Sequence, residues 1–197
     1  MYRFFKTLCD FLLALLLLVV LAPVLLVISL LVYLDVGFPI LFRQQRPGRN
    51  EKIFVLYKFR TMRPYSLDCQ SDQSRTTNLG GFLRKSSLDE IPSLFNVLCG
   101  DMSFVGPRPL LADYLIHYSR EERIRHSVRP GITGLAQVKG RNSLGWDEKM
   151  KYDQLYIKKM SVGLDLLILC ETAIKVLLGA HIDYSLENKP VPRNLEQ

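Results

Sequence analysis

The sequence is poor in the residues that build metal centres and disulfide frameworks. It contains four cysteines and three histidines among 197 residues. No two cysteines form a C-x-x-C pair, and none stands at zinc-ligand spacing from a histidine. Scattered single cysteines are typical of a reducing compartment. The sequence therefore argues against a disulfide-stapled fold and against a transition-metal site.

The chain also lacks an internal repeat and a low-complexity tract, and its length suits one folded domain with little room for a second. Charge is absent from residues 11–34. This apolar run exceeds the roughly 20 residues that a bilayer-crossing helix needs. A cleaved signal peptide would have a shorter apolar region and a small-residue cleavage site, and neither is present. We therefore predict that residues 1–36 form a retained membrane helix and that residues 37–197 form the domain outside the membrane.

Proline interrupts the apolar run at its centre. Pro23 removes one backbone donor and clashes with the carbonyl four residues back, so it should kink or break the helix. Basic residues flank both ends of the run, and lysine and arginine favour the cytoplasmic side of a membrane. A helix that bends at Pro23 and returns would keep both flanks there. A kinked helix that spans the bilayer explains the same residues, so the pattern leaves both topologies open.

Positive charge dominates the rest of the chain, and the formal net charge is +7. Such an excess has three usual partners: nucleic acid, anionic lipid and phosphorylated substrates. The neighbouring apolar run favours the last two, and we expect no nucleic-acid partner. Besides an enzyme, two hypotheses from other classes remain: a basic membrane-anchored binding module, and a scaffold that has lost activity.

Alternating apolar and polar positions over residues 38–62 predict two strands joined by a turn at residues 46–50. Lys58 and Arg60 lie two apart on the second strand and therefore share one face. A nearby anion would relieve their repulsion, although a solvated strand face is the simpler interpretation. The other predicted elements are a loop at 63–78, helical structure at 82–98 with a break near Ser86, a helix at 110–125, a loop with at most a short strand at 129–141, and helices at 147–159 and 164–178.

The adjacent acidic pair Asp89 and Glu90 stands at the start of a predicted helix. Ser87 and Glu90 have the spacing of a capping box, or Asp89 itself is the N-cap. In the simpler interpretation, the pair only caps the helix. Alternatively, the helix dipole keeps Asp89 ionised as a nucleophile towards phosphorus, while Glu90 holds Mg²⁺.

Phosphoryl chemistry also needs cations that neutralise phosphate oxygens. Two stiff turns rich in proline and glycine present arginines, the first at Arg108 and the second at Arg129. Either turn could equally be structural, with an exposed arginine. The cationic candidates for substrate binding are Lys58, Arg60, Arg84, Arg108, Arg129 and Arg141.

Five stretches, in order along the chain, resemble the monotopic phosphoglycosyl transferases, the bacterial sugar transferase family that starts glycan assembly on undecaprenyl phosphate. The stretches are FRQQRPG at 42–48, YKFRTM at 57–62, SLDEIPSLFNVL at 87–98, GDMSFVGPRP at 100–109 and RPGITGLAQV at 129–138. They cover most of the chain. Its short length is similar to that of the minimal members, such as the enzyme that begins Campylobacter-type N-glycan assembly.

The resemblance implies a mainly helical α+β fold with a small β-sheet, interfacial amphipathic helices, and a re-entrant membrane helix broken at Pro23. Members often have Ser-Pro at the break, where this chain has Ala22 and Pro23. The resemblance further implies that residues 37–197 are a catalytic domain on the cytoplasmic face of the bacterial inner membrane. Inner-membrane lipid and downstream glycosyltransferases are the implied partners.

The resemblance also implies the chemistry. Asp89 would form a covalent phospho-sugar intermediate and release UMP, with Glu90 as ligand of the Mg²⁺ cofactor. Polyprenyl phosphate would then attack the intermediate and regenerate Asp89. By the same comparison, the residues that would contact phosphate or nucleotide are Lys58, Arg84, Arg108 and Arg141. The UDP-sugar is expected to carry an N-acetylated or di-N-acetylated sugar.

Overall fold

The computed structural model describes residues 2–65, 71–140 and 143–178. The helices are α1 (Tyr2–Val36), α2 (Asp72–Arg75), α3 (Asn78–Lys85), α4 (Leu94–Leu98), α5 (Leu135–Lys139), α6 (Trp146–Lys159) and α7 (Val162–Leu177). The strands are β1 (Leu41–Pro47), β2 (Ile53–Phe59), β3 (Ser103–Val105) and β4 (Gly131–Thr133). This mainly helical α+β composition with little sheet confirms the predicted fold class.

The apolar run forms α1, which is long and apolar enough by length and composition to cross a membrane. The helix continues through Pro23 without interruption. The predicted break therefore does not take the form of a gap in the helix. A proline inside a helix costs one backbone bond, and such a loss is tolerated when the neighbouring backbone stays paired.

Helix α1 contacts the rest of the protein near both of its ends. Its buried residues are Lys6, Asp10, Ala14, Ile28 and Val32. Between Ala14 and Ile28, residues 15–27 include no buried position. Ala14 packs in a core cluster with residues of β2 and α4, and Ile28 packs in another with residues of β2 and α3. The exposed apolar middle of the helix is thus flanked on both sides by protein contacts.

Strands β1 and β2 form the predicted antiparallel hairpin, with Leu41 opposite Phe59 and Pro47 opposite Ile53. A short 3-10 turn over Arg49–Glu51 joins them. Asn50 in this turn has a φ of 55°, in the left-handed region that asparagine tolerates better than most residues.

The segment between the hairpin and β3 is helical with a break, as predicted. Helix α3 ends at Lys85, a 3-10 segment covers Leu88–Ser93, and α4 follows directly. Helical structure begins earlier than predicted, because α2 and the first residue of α3 lie within the stretch predicted as a loop.

The predicted helix over residues 110–125 is wrong. This region forms two 3-10 segments, Ala112–His117 and Glu122–Ser127. Tyr118 follows the first segment in an extended conformation, and its side chain is buried against Trp146 and Met150. This packing favours the interrupted path over a continuous α-helix.

The loop predicted at 129–141 is more ordered than expected. The one short strand that the sequence allowed there is β4, which pairs in parallel with β3. Helix α5 follows it and was not expected. The last two predicted helices are confirmed as α6 and α7.

Candidate active site

The acidic pair lies in the 3-10 segment Leu88–Ser93. The segment begins after Ser87, whose φ of 57° is left-handed, and Ser87 makes no side-chain capping bond. Both capping interpretations are therefore wrong, since Asp89 lies inside the segment and is not its N-cap. Glu90 instead accepts hydrogen bonds at Oε1 from Lys58 Nζ at 2.6 Å and from Arg108 at 3.2 Å.

These two cations control the charge of Glu90. Burial disfavours its carboxylate, but Lys58 and Arg108 together outweigh burial and lower the pKa of Glu90 to about 2. Glu90 is therefore ionised throughout the physiological range. Its negative charge is balanced within the site by the two cations that it contacts.

Asp89 behaves in the opposite way. Its side chain is buried, and burial together with the neighbouring Glu90 charge raises the pKa of Asp89 to about 7. Lys58, Arg84 and Arg108 oppose this rise without cancelling it. The expectation that a helix dipole keeps Asp89 fully ionised is thus wrong, because desolvation outweighs the end of a single short 3-10 segment. Burial and the Glu90 charge therefore favour the protonated form of Asp89 more than in an exposed aspartate.

Strand β2 positions Lys58, and a buried amide fixes the acidic pair against it. Asn96 on α4 donates from Nδ2 to the Val55 carbonyl at 2.7 Å and accepts at Oδ1 from the Tyr57 amide at 3.2 Å. These two bonds tie α4 to β2. Because α4 directly follows the 3-10 segment, they also fix the distance between Glu90 and Lys58.

A close backbone contact positions Arg84. Gly80 of α3 lies so near the end of β2 that a Cβ there would be 2.1 Å from the Thr61 carbonyl oxygen. Arg84, one turn later, donates from Nε to Thr61 Oγ1 at 2.9 Å. Because Gly80 has no side chain, α3 can pack closely against the hairpin. This packing brings the Arg84 charge close enough to act on Asp89.

A buried guanidinium positions Arg108, and sequence reasoning missed it. Arg125 donates to the Arg108 carbonyl at 2.7 Å and pairs with Asp153 of α6 at 2.9 Å. Burial raises the pKa of Asp153 to about 6, although Arg125 opposes the rise. No local pattern marks Arg125 or Asp153, which are about 30 positions apart and meet only in the folded protein.

The structure brings three of the predicted cations, Lys58, Arg84 and Arg108, to the acidic pair and places two elsewhere. Arg60 donates to the backbone carbonyls of Met62 and Phe38, both at 3.2 Å. Arg129 pairs with Asp10 of α1 at 3.3 Å. Arg141 lies outside the described residues.

The predicted helix-break residues stand apart from this chemistry. Ala22 and Pro23 are both exposed on the apolar middle of α1. They therefore lie where a membrane would contact the helix, and they take no part in the cluster around Asp89.

The acidic pair offers the oxygen ligands that Mg²⁺ prefers. The described residues contain no group of three or more side chains arranged as a metal site. Mg²⁺ commonly uses one or two protein carboxylates and completes its shell with water and substrate phosphates. Glu90 fits this requirement. The bonds from Lys58 and Arg108 both end on its Oε1, so its other oxygen, Oε2, can serve as the metal ligand.

Comparison with known proteins places the chain in a family. A sequence model described as bacterial sugar transferase matches residues 1–179, which include α1 and the whole acidic and basic cluster. The chain belongs to the bacterial sugar transferase family. It is 46% identical over 180 residues to the uncharacterized sugar transferase EpsL of Bacillus subtilis, with 90% of this chain and 89% of the relative covered.

Other members of this family are named for particular sugars. The chain is 36% identical to the undecaprenyl-phosphate galactose phosphotransferase of Salmonella typhimurium, with 89% of this chain and 41% of the relative covered. It is 37% identical to a UDP-N-acetylgalactosamine-undecaprenyl-phosphate N-acetylgalactosaminephosphotransferase of Aeromonas hydrophila, with 90% of this chain and 45% of the relative covered. The chain thus spans less than half the length of these two relatives.

Proposed function

We propose that this protein transfers a phospho-sugar from a UDP-sugar to undecaprenyl phosphate, through a covalent intermediate on Asp89. The observation that carries the proposal is the buried Asp89 carboxyl beside Glu90, under the charges of Lys58, Arg84 and Arg108. Family membership and the names of the relatives support the same reaction class.

In the first step, an Asp89 carboxylate oxygen attacks the sugar-bearing phosphorus of the UDP-sugar. The bond between that phosphorus and the bridging oxygen breaks, and UMP leaves with the electron pair. An acyl-phosphate carrying the sugar remains on Asp89. The three cations neutralise phosphate oxygens as charge moves to the leaving group.

In the second step, an oxygen of undecaprenyl phosphate attacks the same phosphorus. The acyl-phosphate bond breaks, the Asp89 carboxylate is regenerated, and the product is undecaprenyl-diphosphate-sugar. The raised pKa of Asp89 makes its carboxylate a stronger nucleophile in the first step, and the neighbouring cations assist its departure in the second by neutralising its charge.

Glu90 would hold Mg²⁺, which supplies Lewis-acid stabilisation of phosphate charge when bound. Lys58 and Arg108 already hold Glu90 in its ionised form, so the ligand is ready without a change of protonation. We further propose that the sugar is N-acetylated or di-N-acetylated. A panel of UDP-sugars tests this, and turnover with UDP-glucose or UDP-galactose alone would contradict it.

The test of the proposed activity is UMP release by purified protein supplied with UDP-sugars, Mg²⁺ and undecaprenyl phosphate. Wild type should release UMP, and Asp89→Asn should not. Asp113→Asn removes an exposed carboxylate elsewhere and serves as the matched control. Equal turnover by wild type and Asp89→Asn would remove Asp89 from the chemistry.

We also propose that α1 enters and leaves the bacterial inner membrane on its cytoplasmic face, with residues 37–197 as the catalytic domain. The contacts of α1 support this topology. Lys6 near its start pairs with Asp165 of α7, and Ile28 near its end packs with residues of β2 and α3. Lys6 and Ile28 lie about 33 Å apart along the helix at ~1.5 Å per residue, and a bilayer core is about 30 Å thick. A helix that crossed the membrane would therefore carry one of these contacts away from the domain that makes it.

Protease protection tests this topology. An epitope tag before α1 and a second tag after α7 should both be protected in intact spheroplasts and both be degraded after permeabilisation. Removal of the first tag alone in intact spheroplasts would mean that α1 spans the membrane.

A further inference from the structure

A small basic cavity lies at the N-terminal end of α1, away from the candidate active site. Its lining includes Ser127 and four cationic side chains, which belong to Arg3, Lys6, Arg49 and Arg129. Its volume is about 40 Å³. A single water molecule needs only ~10–15 Å³ of cavity volume, so this cavity can admit part of a group that is larger than water.

The positive charge of this cavity is only partly balanced. Lys6 pairs with Asp165, and Arg129 pairs with Asp10. Within the described part of the chain, the side chains of Arg3 and Arg49 make no ion pair and no hydrogen bond. Two guanidinium groups with unused fork-shaped donors therefore line the same cavity, an arrangement that favours an oxyanion.

Ser127 provides an independent observation. Its Oγ is buried, and it has no hydrogen-bond partner among the described residues. A buried hydroxyl without a partner costs roughly 1–3 kcal/mol, so such groups are rare unless something else satisfies them. An anion in the cavity would accept a hydrogen bond from the Ser127 hydroxyl.

The cavity is separate from the cluster around Asp89. Arg49 lies at the tip of the hairpin, whereas Lys58 lies near the other end of β2. The part of β2 from Ile53 to Lys58 alone measures about 17 Å at ~3.3 Å per residue. One phosphate group cannot contact both sites.

We propose that this cavity binds the phosphodiester of an anionic membrane lipid. On the neighbouring turns of α1, the exposed fractions of Phe4, Phe5 and Leu8 are 80%, 53% and 49%. These side chains give acyl chains an apolar surface beside the cavity. A free phosphate would not use this surface. The lipid site rests on the membrane position proposed above for α1.

Calorimetric titration of the full chain in detergent tests the site. The probes are short-chain phosphatidylglycerol, short-chain phosphatidylcholine and inorganic phosphate. Phosphatidylglycerol should bind one to one and more tightly than either alternative. The double variant Arg3→Gln with Arg49→Gln should weaken it by about tenfold or more, since two charge-assisted bonds are lost. Ser127→Ala should weaken it less and leave the fold intact.

A matched control separates this site from general electrostatics. Arg120→Gln with Lys151→Gln removes the same charge from exposed positions and should leave binding unchanged. Equal weakening by both double variants would overturn the proposal, as would inorganic phosphate or phosphatidylcholine binding as tightly as phosphatidylglycerol. UMP release measured on the same samples keeps the two proposals distinct, because failure of lipid binding with intact UMP release refutes only the lipid site.

Discussion

Replacing Asp89 by asparagine should stabilise the folded protein while it abolishes transfer. A carboxylate at this position is buried beside Glu90, and its pKa is raised from 3.8 to about 7. The folded protein therefore resists ionisation of Asp89, and ionisation destabilises it. Asparagine has a similar shape and carries no charge, so the variant escapes this penalty.

The size of the effect depends on pH in a defined direction. Because the folded pKa is raised, the contribution of Asp89 to stability falls as pH rises from about 4 to about 7 and is constant above that range. A shift of roughly 3 units corresponds to an upper bound of about 4 kcal/mol at ~1.4 kcal/mol per unit. Between about pH 5 and pH 8 the free-energy penalty of ionising Asp89 grows by up to roughly 2–3 kcal/mol. The cost of burying the asparagine amide is the same at both pH values, so it cancels from this difference.

Thermal unfolding in one detergent, at both pH values, measures the effect. In a protein of this size each kcal/mol shifts the midpoint by about 2–4 °C. The advantage of Asp89→Asn over wild type should therefore increase by several degrees from the lower to the higher pH, while Asp113→Asn follows wild type. A constant difference between Asp89→Asn and wild type would refute the raised pKa.

Three further predictions concern the groups that shape the site. Gly80→Ala should destabilise the fold by about 1–3 kcal/mol and lower the rate of transfer, because the new Cβ would clash with the Thr61 carbonyl. Gly81→Ala is the control: its Cβ would have open space, so the variant should resemble wild type in thermal unfolding and UMP release. Arg125→Lys keeps the charge but loses the fork-shaped contact, so kcat should fall about tenfold in a protein that calorimetry shows to be folded. Single-turnover UMP release should decline below about pH 7 as Asp89 is protonated, and a rate independent of pH between about 5 and 8 would contradict this.

Local patterns predict the parts of the fold that local forces determine. The hairpin follows from alternation and a turn, and α6 and α7 follow from helical periodicity. The acidic pair and three of its cations are also recognisable as candidates. In contrast, β3 is very short and pairs with β4 across a long stretch of chain, from Ser103 to Gly131, which leaves too little pattern to predict β3 or this parallel pairing.

The remaining features depend on contacts between distant parts of the chain. The sequence predicts that Arg129 binds substrate, yet Arg129 pairs with Asp10, 119 positions away. The raised pKa of Asp89 depends on burial, which no sequence pattern around it reports. Arg125 and Asp153 likewise acquire their positioning role only through tertiary packing.

Detection of the covalent intermediate on Asp89 is the most direct test of the proposed reaction. Purified protein is mixed with a UDP-sugar and Mg²⁺ without undecaprenyl phosphate, and its peptides are analysed by mass spectrometry. We predict a phospho-sugar adduct on Asp89, formed together with stoichiometric UMP and discharged when undecaprenyl phosphate is added. UMP release without an adduct, or an adduct on another residue, would contradict the proposed mechanism.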